Sequence, residues 1–126
     1  MVVSDLGPFW EIAPWFIPQL QFEIHCLGPQ CQSAVFVSQS ATRGAVILRI
    51  HRDDAYIDLM LSELRWFYSA FVVTRTEPHV DFGVLRPQRQ ALLDKTLELA
   101  SSAELVTAID HKDIQRSPGG ELLVPP

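Results

Sequence analysis

Three features of the 126-residue sequence predict an α/β domain. Two short runs rich in β-branched residues, 33–38 (SAVFVS) and 45–51 (AVILRIH), flank a turn-forming segment at 40–44. A long pattern with apolar residues three and four positions apart then runs from Ile57 to Phe71. No internal repeat is visible, so the expected order is helix, strand, strand, helix, helix around one core.

Residues 1–13 read as an irregular lead-in containing Gly7 and Pro8. Pro14 and Pro18 bracket a helix start, where a missing N–H costs nothing. Leu20, Ile24 and Leu27 then repeat at helical spacing, with Gln19, Glu23 and Cys26 on the neighbouring stripe, until Gly28-Pro29 ends the helix. Segment 33–38 is apolar on both faces, which predicts a buried central strand. In 45–51, Val46, Leu48 and Ile50 share one face, and Ile47, Arg49 and His51 the other.

Asp53 and Asp54 head the long helix, whose stripe is Ile57, Met60, Leu61, Leu64, Phe67, Tyr68 and Phe71. An Asp at the N-cap accepts backbone N–H bonds, and a second in the first turn complements the helix dipole. The two aspartates therefore read as capping residues rather than as a metal site. Segment 74–87 reads as a loop, and 87–100 as a helix carrying Leu92, Leu93, Leu97 and Leu99. Residues 75–102 are thus loop plus C-terminal helix, and 103–126 a tail. Within that tail, 117–126 (SPGGELLVPP) is expected to be mobile or extended.

Fifteen Asp and Glu against ten Lys and Arg give a net charge of −5, which excludes a uniformly basic nucleic-acid binder. At 48% hydrophobic and 20% charged the composition is that of a folded domain. No stretch approaches the roughly 20 apolar residues of a membrane helix. Asp5 and Glu11 fall where a signal peptide needs a basic region and an apolar run, so an intracellular chain with no membrane partner is expected. Cys26 and Cys31 form no disulfide framework, and their spacing beside His25 is at most half a zinc site. His79 and Asp81 are a second weak metal pair. No metal ligand is assigned.

The order of residues from Phe16 to Phe71 carries more information than their periodicity. An aromatic, Phe16, precedes Gln19-x-Gln21 at the opening of a helix, followed by a strand, a hairpin, and a second strand running into Arg52-Asp53-Asp54. In this series the sequence resembles the C-terminal half of the YqaJ-type viral recombinase nucleases. That group includes lambda-type exonucleases and belongs to the PD-(D/E)XK superfamily. The resemblance covers 14–74 and implies part of a restriction-endonuclease-like core: helix, two strands as a hairpin, and long helix, with a C-terminal helix added.

It also implies metal-dependent cleavage of duplex DNA from an end. That chemistry needs carboxylates holding Mg²⁺ or Mn²⁺ and a lysine to orient the nucleophile. In the family these are an Asp and a Glu-x-Lys upstream of the Gln-x-Gln helix. Here only Asp5 and Glu11 precede Gln19, and no lysine occurs before Lys95. The resemblance therefore implies a chain that is catalytically incomplete alone and binds metal poorly. A missing N-terminal half or a homo-oligomer is the expected partner.

Gln19 is the one site position carried over, with a role in orienting lysine or phosphate rather than in chemistry. Gln21 lies about 200° further round the helix and reads as a solvent-facing or packing amide. Arg43, Arg49 and Arg52 are candidates for a groove tracking DNA phosphates, with ordinary surface solvation as the alternative. Trp66, Phe67, Tyr68 and Phe71 read as core before base-stacking platform, with Trp66 a candidate for a subunit contact. Two other functions stay open: a degenerate nuclease fold kept as a binding or assembly module, and an unrelated small α/β interaction domain.

Overall fold

The computed structural model describes residues 4–82 and 86–114. A single 3₁₀ turn, Pro14–Phe16, leads into α1 (Ile17–Cys26), followed by β1 (Ser33–Gln39), β2 (Ala45–His51) and α2 (Asp54–Phe67). A π-helical turn, Tyr68–Val72, extends α2. Next come α3 (Pro87–Ser101), β3 (Glu104–Ile109) and a 3₁₀ turn, His111–Asp113. The chain is α/β, as its pattern predicts, with an antiparallel three-stranded sheet in the order β1-β2-β3.

The alternation of β2 decides which side of the sheet is covered. Val46, Leu48 and Ile50 are buried, and they pack with Ile17 and Leu20 of α1 and Tyr56 and Met60 of α2. Leu92 and Leu99 of α3, and Ala34 and Phe36 of β1, flank the same cluster. The three helices thus form one layer on one face of the sheet. Burial of this kind stabilises by about 25 cal/mol per Å² of apolar surface, and it sets the layer architecture.

Several expectations need correcting. β1 is an outer strand, not the central one, and Val35 and Val37 on its helix-free face are 53% and 55% exposed. β2 is the central strand, because β3 pairs on its far side. The tail expected from residue 103 begins instead with β3, while 117–126 lies outside the described residues. Five of the six β3 residues are exposed, so no alternation marked the strand in the sequence. A bulge lets β3 follow β2: Ile47 pairs with Thr107 but Leu48 with Leu105.

Leu27 is exposed, and the buried stripe of α1 is Ile17, Leu20, Gln21 and Ile24. On α2 the stripe is buried only at its start; Leu64 and Tyr68 are exposed. The π-helical turn resets the helical phase at Tyr68, so a constant 100° step does not describe the end of this element. In α3, Leu93 and Leu97 are exposed and Thr96 is buried.

The lead-in is irregular, as expected, yet it is tied down. Asp5 accepts hydrogen bonds from the Gly7 N–H and from the Thr42 N–H and hydroxyl, at 2.7 to 2.8 Å. These bonds, the Thr42 hydroxyl first, lower the Asp5 carboxyl to about 2. The Phe9 N–H donates to the Ser38 hydroxyl at 2.8 Å, and Ile12 enters the core. No helix among the described residues is long and apolar enough to cross a membrane.

Candidate functional site

The Gln-x-Gln pair divides in a way that spacing alone does not show. Gln21 is fully buried between α1 and the corner where β2 enters α2. Its amide donates to the His51 carbonyl at 2.8 Å, and its carbonyl oxygen accepts from the Asp53 N–H at 3.1 Å. One carboxamide therefore satisfies a donor and an acceptor left by the strand-to-helix transition. Of the two readings offered for Gln21, the packing amide holds. Gln19 is exposed, and its amide donates to Glu23 one turn on, at 3.0 Å. Nothing among the described contacts of Gln19 is a lysine.

The Arg52-Asp53-Asp54 corner is built for structure. Asp53 is the N-cap of α2: its carboxylate accepts from the Tyr56 N–H at 2.8 Å and pairs with Lys95 of α3 at 3.2 Å. The capping reading is correct, and a cap of this kind contributes about 1 kcal/mol. Asp54 follows in the first turn and holds the Arg52 Nε at 2.7 Å.

Arg52 departs from the expected phosphate-binding role. Its side chain is only 13% exposed, and its Nη1 donates to the carbonyls of Ile24, Gly28 and Cys31. It closes the carbonyl end of α1 and the following turn, where Gly28 takes a φ of +95°. A guanidinium spent on three carbonyls and a carboxylate has little left for DNA.

The other two arginines lie apart. Arg43 sits in the hairpin turn against Gly7, and Arg49 on the helix-free face of β2 between Val35 and Glu104 in register. They are six positions apart along the chain, at most about 20 Å when extended. The Arg49 Nε is buried without a hydrogen-bond partner, whereas His51 beside it bonds Glu104 at 2.9 Å. Arg43, Arg49 and Arg52 thus point into three environments and do not line one groove.

The residues present do not fit a catalytic metal. Among the described residues no three His, Cys, Asp or Glu side chains come together as a ligand set. Both candidate carboxylates are engaged, Asp53 as a cap and Asp54 by Arg52. Cys26 and Cys31 are free thiols, and the Cys31 thiol donates to the Ser33 carbonyl at 3.6 Å. His79 and Asp81 are exposed loop residues.

The aromatic residues after α2 form a packed cluster. Trp66 lies nearly parallel to Phe82 at 6.5 Å and edge-on to Phe71 at 5.6 Å, and Phe67 contacts both phenylalanines. The Arg86 guanidinium stands 3.7 Å from the Trp66 ring centre and also binds Glu63. A ring so occupied is not a free stacking platform for a base.

Sequence reasoning missed the pair that joins α2 to α3. The buried Tyr56 hydroxyl lies 3.0 Å from Thr96 Oγ1, and Thr96 donates to the Leu92 carbonyl at 2.6 Å, so Tyr56 is the donor to Thr96. Burial raises the Tyr56 phenol above its ordinary range. Compared with protein-family models, curated proteins and solved structures, the chain gives no match.

Proposed function

We propose that these 126 residues are the C-terminal part of a metal-dependent DNA exonuclease of the viral-recombinase type, incomplete as a catalyst by themselves. The reading belongs with a restriction-endonuclease-like core, of which α1, the β1–β2 hairpin and α2 would be the back half. One observation carries it. The Gln21 carboxamide binds the Gln-x-Gln helix to the Arg52-Asp53-Asp54 corner, so motif pieces some 30 residues apart are neighbours in one unit. In the complete enzyme Gln19, exposed on the side of α1 opposite Gln21, would orient the lysine or the substrate phosphate. Magnesium or manganese would be held by an Asp and by the Glu of a Glu-x-Lys, neither of which precedes the Gln-x-Gln helix in this sequence in that pattern.

A binding or assembly module descended from the same fold is the second reading. It is favoured by the uncovered face of the sheet, where Val35 and Val37 stand exposed. A nuclease assay tests the claim of incompleteness. Incubated with linear duplex DNA and Mg²⁺ or Mn²⁺, the purified chain is expected to release no nucleotides. Processive digestion that a chelator abolishes, and that a Gln19→Ala preparation lacks, would overturn the claim of incompleteness.

A further inference from the structure

We propose that β1 is a self-recognition edge, through which two copies of this chain join their sheets by antiparallel pairing centred on Phe36. The proposal concerns the 126-residue chain by itself and draws nothing from a nuclease origin. β1 is the outer strand of the sheet. Which of its backbone groups face outward follows from the hydrogen bonds that bracket the hairpin. Arg52 N–H donates to the Gln32 carbonyl, and Ser40 N–H to the Gly44 carbonyl. With the printed register, the even-numbered residues of β1 bond to β2, and those of Ser33, Val35, Val37 and Gln39 point away. Among the described residues, the only hydrogen bond on these groups is from the Cys31 thiol to the Ser33 carbonyl.

Exposed edges are normally blunted by charge, proline or a bulge. Ser33–Gln39 (SAVFVSQ) has none of these, although the chain carries ten basic and fifteen acidic residues. The occupant is suggested by symmetry in the strand itself. A two-fold axis through Phe36 sets Val35 opposite Val37, Ala34 opposite Ser38, and Ser33 opposite Gln39 of the second copy. Every outward backbone group then meets an outward group, and no charge is brought to the seam. On the helix-free face, the exposed Val35 and Val37 of both copies make one apolar patch. On the helix side the two Phe36 rings meet at the axis, each backed by Phe16 at 5.0 Å, with the exposed Trp15 beside Phe16 at 6.0 Å. Such pairing is isologous and closes at two copies.

Sedimentation equilibrium, read together with amide exchange of the unsubstituted chain, tests this. A reversible dimer of the 14.2 kDa chain is expected. Val35 and Val37 amide exchange should slow by about tenfold or more as the dimer fills. Val35→Lys, and separately Val37→Lys, should give monomers that still melt cooperatively, while Leu64→Lys on the exposed side of α2 leaves the dimer intact. A monomer at every concentration would overturn the proposal. So would assembly that continues past two copies, or a dimer whose Val35 and Val37 amides still exchange freely. Loss of the dimer in Leu64→Lys, with Val35→Lys still dimeric, would place the contact on α2 instead.

Discussion

Gly44→Ala is expected to lower the melting temperature by roughly 10 °C or more, corresponding to about 3 kcal/mol. Gly44 closes the hairpin with a φ of +101°, a conformation that costs an L-residue about 1–2 kcal/mol. The larger part is steric. A Cβ there would collide with the carbonyl oxygen of Ile109 and come within 3.1 Å of the His111 nitrogen. Both are backbone atoms, one at the end of β3 and one in the 3₁₀ turn after it, so relief requires this end of β3 to move off β2. Gly28→Ala is the control: its φ is +95°, but the nearest atom to a new Cβ is the tip of the flexible Gln30 side chain, at 2.8 Å. It should cost only the backbone strain, about 1–2 kcal/mol. Thermal melts of the two variants, with exchange rates of the β3 amides, check the difference. Equal losses would mean that β3 does not bear on Gly44.

Gln21→Met is the second substitution with a large expected effect. Methionine keeps much of the volume and removes both polar ends. The His51 carbonyl and the Asp53 N–H then lose their partners, each at about 1–3 kcal/mol. A loss of about 2–4 kcal/mol is expected, a large share of the 5–15 kcal/mol typical of a domain. Gln19→Met, which breaks only an exposed bond to Glu23, should fall within about 0.5 kcal/mol of the parent. Urea titrations of the two variants measure this directly. Similar midpoints for both would show that the α1 junction does not depend on the carboxamide.

The contrast between these glutamines shows what the sequence reveals and where it stops. Strand alternation in 45–51 is legible because β2 has one covered and one open face: Val46, Leu48 and Ile50 are buried as read, and Ala45 at the strand's start is the one buried residue on the other face. The Asp53 cap is legible because capping is local chemistry over three residues. Gln21 is not, since the groups that bury it lie 30 and 32 residues away. The spacing of Ile17, Leu20 and Ile24 did hold a signal: position 21 falls on their side of the helix, and only its amide hides it.

The remaining misreadings have the same origin. β1 is apolar on both faces, which suggests burial, but no described strand lies on its outer side. β3 shows no apolar alternation because it is an exposed edge held by backbone bonds. Arg52 looked like a surface cation because nothing nearby in sequence foretells three carbonyls from the end of α1 and the turn after it. A site composed of side chains from separate elements is therefore the least legible part of this chain.

The resemblance to an exonuclease rests on the order of motifs, and the motif that would complete it is an Asp followed by Glu-x-Lys ahead of the Gln-x-Gln helix. Sequencing the transcript that encodes this chain, through its 5′ end, tests the central claim most directly. The account predicts an in-frame segment upstream of Met1 that contains that Asp and Glu-x-Lys. A stop codon closing the frame upstream with neither present would contradict it and leave the assembly module as the reading.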